Sequence, residues 1–179
     1  MAKIVGLSRN LKLQWLNKVV ELASSNLTEQ EIKDQLNEYL SFEISSPTNL
    51  RKTREILMNI WVYENDISNK LREEAISIVR DMPEYALAAH WCMMLATYPV
   101  FVDMCKLIGR LSEFQDEITL SQIKQKLYDE WGERTTLYHS IDKLISTLKE
   151  LSVLRCEKPG KYHIVKLSLI HISEPTRPY

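Results

Sequence analysis

Between Tyr85 and Val102 the chain contains no Asp, Glu, Lys or Arg. A run of that length must leave water, either in a membrane or in a protein core. His90 and Thr97 interrupt it, Pro99 divides it into two pieces each too short to span a bilayer, and Asp103 follows directly. These features predict two buried core helices, not a membrane span. The remaining composition agrees: 45% hydrophobic and 26% charged residues suffice for one or two small domains with a real core.

Most of the chain reads with helical period. Residues 8–23 place Leu11, Trp15, Leu16, Val19 and Leu22 on one stripe. Thr28 and Glu31 form a capping box ahead of Ile32, Leu36, Tyr39 and Leu40. Ser46 followed by Pro47 reads as an N-cap with proline at the first helical position. A helix over residues 68–81 carries Leu71, Ala75, Ile78 and Val79 as its expected inner face. Thr119 and Gln122 form a second capping box, Gly132 and Glu133 make a tight turn, and Thr135 is the expected cap of the next helix. That helix has an apolar stripe of Leu137, Ile141, Leu144, Ile145, Leu148 and Leu151. Two short β-like runs then flank Lys158-Pro159-Gly160-Lys161, a type II turn signal, and predict a hairpin.

Helix, tight turn, helix and hairpin is the order of a winged helix-turn-helix. Its second helix must bury one stripe and keep its outer first turns polar to enter a major groove. Thr136, His139, Lys143 and Ser146 fall on that outer side, flanked by Arg134, with Lys158 and Lys161 supplied by the hairpin. Hydroxyls and lysines suit phosphates, and His139 suits a base edge. Asp142 and Glu150 oppose this charge on the same face.

The unit occurs twice. "LTEQEIKDQLNEYL", residues 27–40, repeats the pattern of "ITLSQIKQKLYDEW", residues 118–131, with Ile-Lys-x-x-Leu in register. Each is followed by a helix reading Thr-x-Leu. In the N-terminal copy Thr48, Arg51 and Lys52 project from the first turns, with Arg54 at the border, and Lys3, Arg9, Lys12 and Lys18 precede the first acid, Glu21. The expected architecture is therefore mainly all-α: a helical bundle with two helix-turn-helix units, the C-terminal one winged by a β-hairpin. Its expected divisions are residues 1–66, an N-terminal helix-turn-helix unit; 67–115, central apolar helices; and 116–166, the winged unit. Residues 167–179, "LSLIHISEPTRPY", resemble the conceptual translation of a transposase-type sequencing adapter and are expected to be non-native.

Several function classes recede. No P-loop, Gly-rich dinucleotide turn, HExxH or GxSxG occurs, and four glycines leave little room for a phosphate-cradling loop. No enzyme, cofactor or small-molecule substrate is expected. Cys92, Cys105 and Cys156 are widely spaced, so neither a metal site nor a disulfide framework is expected, and thiols fit a reducing cytoplasm. No secretory leader is recognisable. A net charge of −1 confines any nucleic-acid surface to a local patch with salt-sensitive affinity.

The segments "SPTNLRKTREIL", the apolar pair from Pro83 to Leu111, and "ERTTLYHSIDKLISTLKELSVL" with its short hairpin resemble the BrxA family of bacterial BREX phage-defence systems. The resemblance spans roughly residues 8–166 and rests on element order and these segments, not on a diagnostic motif. It implies a small non-enzymatic protein, helical apart from a wing, that binds double-stranded DNA and acts with larger BREX components. Two other readings remain open from the residues themselves: a helix-turn-helix adaptor that docks proteins without DNA, and a winged-helix transcriptional regulator.

Overall fold

In the computed structural model, residues 5–165 are described; the adapter-like tail and Lys166 lie outside them. Two capping boxes set two helix starts. Thr28 Oγ1 accepts the Glu31 amide at 3.3 Å while the Glu31 carboxylate accepts the Thr28 amide at 2.8 Å, opening α2 (Glu29–Ser41). Thr119 and Gln122 repeat the exchange at 3.2 and 2.9 Å, opening α7 (Leu120–Trp131). Each box satisfies two amides that a helix end otherwise leaves unpaired. Ser46 Oγ accepts from the Asn49 amide and Pro47 occupies the first position of α3 (Pro47–Trp61), as the sequence predicts.

The first helix departs from expectation. The stripe over residues 8–23 predicts one helix, but α1 runs only over Leu13–Ala23. The preceding segment is non-helical, and its Val5, Leu7 and Leu11 are buried in the core. Gly6 adopts φ +70° with its backbone against the Tyr98 ring, where a Cβ would lie 2.8 Å from a ring carbon. The buried Leu11 amide donates to Thr147 Oγ1 at 3.0 Å, which ties this segment to α8 (Thr135–Glu150).

Ser68 caps α4 (Asn69–Asp81), but Leu71 is 42% exposed and Arg72 is buried instead. The Arg72 guanidinium donates to Tyr63 O and Asn65 Oδ1, both at 2.9 Å, closing the loop before the helix and rotating Leu71 outward. After a short 3-10 turn at Pro83–Tyr85, the charge-free run forms α5 (Ala86–Thr97) and α6 (Pro99–Phe114). They meet at Pro99, with 116° between the axes of residues 83–97 and 99–114, and no single described helix is long and apolar enough to cross a membrane. Met93, Met94, Val100, Phe101 and Met104 are fully buried. Burying a Met, Val or Phe side chain contributes roughly 1.5–3 kcal/mol, which accounts for the lack of charge there.

The C-terminal unit carries one more strand than the sequence shows. β1 (Ile118–Thr119) pairs antiparallel with β3 (Lys161–Ile164), which pairs antiparallel with β2 (Leu154–Lys158), giving the order β1-β3-β2. Gly160, at φ +74°, supplies the left-handed residue of the hairpin turn. Between α7 and α8, Gly132 has φ +77°. Thr135 is not the cap of α8: Arg134 holds the cap position with no side-chain capping bond to the helix, and its guanidinium donates back to Trp131 O at 3.1 Å. The fold is thus mainly helical with a β-hairpin wing. Buried residues of both helix-turn-helix units and of α5 and α6 belong to one continuous core, from Leu16 and Leu57 through Phe101 to Ile123 and Leu144.

Candidate nucleic-acid interface

The second helices of the two units, α3 and α8, front a common cleft of about 1040 Å³. The N-terminal segment contributes Ser8, Arg9 and Lys12; α3 contributes Asn49, Lys52 and Thr53; the start of α8 contributes Arg134, Thr136, His139 and Lys143. Its described lining thus includes Arg9, Lys12, Lys52, Arg134 and Lys143 against a single carboxylate, Glu43. A second cleft of about 860 Å³ adjoins it, sharing Gly6, Ser8 and Lys52 and adding Arg51. Five of the ten residues expected from sequence (Lys52, Arg134, Thr136, His139 and Lys143) therefore meet in one place although they lie in different units.

Local packing explains how they are presented. Thr136 and His139 are exposed while Leu137, Ile141 and Leu144 are fully buried, so the predicted leucine stripe faces inward. Asp142, expected to oppose the basic face, pairs instead with Lys124 of α7 at 3.1 Å. The same ammonium lies 3.8 Å from the centre of the Tyr138 ring, which meets the His139 ring edge-on at 5.4 Å. Ser146, expected to face outward, is half-buried and donates to Asp142 O at 2.9 Å.

The other expected residues lie elsewhere. Thr48 is exposed on the first turn of α3 but does not line the cleft. Arg54 is engaged within the unit: its Nε donates to Glu55 Oε1 at 2.9 Å and its Nη1 to Asn37 Oδ1 at 3.2 Å. It lies at the border of the outer face and braces α3 against α2. Lys158 is exposed beside the hairpin turn. Lys161 pairs with Glu117 at 2.5 Å, and that bond holds the Glu117 carboxyl below its ordinary range.

Sequence reasoning noted the local basicity of Arg9 and Lys12 but assigned them no site, and it missed Asn49. The available signal was the run of cations before Glu21; their convergence on α3 and α8 is a tertiary fact. No family model, curated protein or solved structure matches the chain.

Proposed function

We propose that this chain is a non-enzymatic, soluble, cytoplasmic DNA-binding protein that contacts duplex DNA mainly through phosphates. One observation carries the reading: cations from both helix-turn-helix units and from the N-terminal segment converge on one cleft whose single described carboxylate is already paired. Polar side chains on the first turns of α8 and a lysine on α3, all lining this cleft, support the reading, because helix-turn-helix docking uses such side chains for base edges and phosphates. With so mild a net charge, binding depends on this local field and weakens with salt. The test is fluorescence anisotropy with random duplex at low and physiological salt. Micromolar or tighter binding at low salt, lost steeply as salt rises, supports the reading; no binding at low salt refutes it.

The resemblance to the BrxA family supports a narrower proposal, that the protein is an accessory component of a BREX-type anti-phage system and acts with its larger members. Flanking genes for a methyltransferase, a phosphatase-like protein and a large ATPase are the expected neighbourhood, and their absence would count against it. A second reading, protein docking through the helix-turn-helix units, is favoured by Phe42, between α2 and α3, which is 83% exposed. Large exposed aromatics of this kind serve as contact anchors.

A further inference from the structure

Glu43 is the single carboxylate among the described residues lining the basic cleft, and it is not idle. Lys12 Nζ donates to one of its oxygens at 2.5 Å; Gln14 Nε2 and Trp15 Nε1 donate to the other at 2.6 and 3.0 Å. An ammonium, an amide and an indole N–H thus surround one oxyanion. That is a donor set a phosphate group also satisfies, because its oxygens accept charge-assisted bonds in the same range. The bond from Lys12, with that from Trp15, holds the Glu43 carboxyl below its ordinary range. The pair is solvent-accessible, each side chain 32% exposed, and ion pairs in such positions are weak enough for a competing anion to open. Glu43 lies in the short non-helical turn between α2 and α3, so its side chain can leave without disturbing a helix.

We propose that Lys12, Gln14 and Trp15 form a phosphate subsite of the cleft, which the Glu43 carboxylate occupies in the free protein and a phosphodiester group of bound DNA takes over. This rests on the DNA-binding reading above and adds a built-in competitor to it. The exchange conserves charge: the Lys12 ammonium passes from one monoanion to another, and Glu43 returns to solvent. Arg9 and Lys52, on the same cleft, hold the neighbouring phosphates.

The test compares the full chain with Glu43→Gln, Lys12→Gln and the double variant, using anisotropy of a labelled random duplex across a salt series. Glu43→Gln is expected to bind several-fold tighter at low salt with a nearly unchanged log-log salt slope, because the same phosphate contact forms with no protein anion to displace. Lys12→Gln is expected to abolish that gain in the double variant. If the gain survives Lys12→Gln, Glu43 merely repels DNA at a distance and the subsite is overturned. If Glu43→Gln binds no tighter and only melts lower, the pair is a structural tether and the subsite is likewise overturned, with DNA binding intact. Should Glu43→Gln fail to fold, Lys12→Gln alone decides: a slope shallower by about one unit supports the subsite, and an unchanged slope overturns it. If neither the wild-type chain nor Glu43→Gln binds duplex at low salt, the DNA-binding reading fails and the subsite with it.

Discussion

Thr147 is where the N-terminal segment and the winged unit meet. Its hydroxyl donates to Lys143 O at 2.9 Å and accepts the buried Leu11 amide at 3.0 Å. Thr147→Val keeps the shape and removes the acceptor, leaving a buried N–H unpaired, so urea unfolding should show a loss of about 1–3 kcal/mol. An unchanged midpoint would show that water reaches the Leu11 amide. His90 sets a pH dependence. It is fully buried, one ring nitrogen lies 2.8 Å from Asn17 Oδ1, and desolvation lowers its pKa from 6.5 to about 4. The folded state therefore resists protonation that the unfolded chain accepts. This contribution is fully present above pH 6.5 and is lost as pH falls through about 4, with about 3 kcal/mol at stake across that window. Stability of the wild-type chain measured from pH 7 to pH 4 should fall more steeply than that of His90→Phe or His90→Gln; identical slopes would contradict the assignment. Neither role is legible in sequence. Thr147 has no local mark of burial, and His90 shows only as a polar break in an apolar run.

At the scale of elements, sequence reading succeeds where signals are local and fails where a distant contact decides. Both capping boxes, the proline at the start of α3 and the Pro-Gly turn are set within a few residues, and all occur as expected. Thr28→Ala and Thr119→Ala should each cost about 1 kcal/mol in thermal or urea unfolding. The helical stripe over residues 8–23 does not reveal the non-helical stretch before Leu13, because distant contacts decide it: the Leu11 amide is held by Thr147 of α8, and Leu7 and Leu11 lie in the core. β1 was missed because two residues carry no alternation to read; pairing with β3 defines them. Arg51 and Lys52 are exposed on α3 and line the two adjoining clefts, whereas Lys161 is tied to Glu117. Arg51→Ala with Lys52→Ala should therefore weaken duplex binding more than Lys158→Ala with Lys161→Ala. The reverse order would make the wing the principal contact and α3 a packing helix.

Across the whole molecule, the repeat of the helix-turn-helix pattern was visible, but the arrangement of the copies was not. Which faces meet depends on how α5 and α6 bend at Pro99 and on where the N-terminal segment threads, and no local periodicity encodes either. The structure places Lys52 and Lys143, more than ninety positions apart by their numbers, on one cleft. We propose that these two units form a single phosphate-binding surface. This is tested most directly by the salt dependence of duplex affinity for the wild-type chain and for Lys52→Gln combined with Lys143→Gln. The double variant should melt like the wild type, bind at least tenfold more weakly at low salt, and show a log-log salt slope shallower by about two units. A double variant with wild-type affinity and slope would contradict it, and so would a wild-type affinity that does not change with salt.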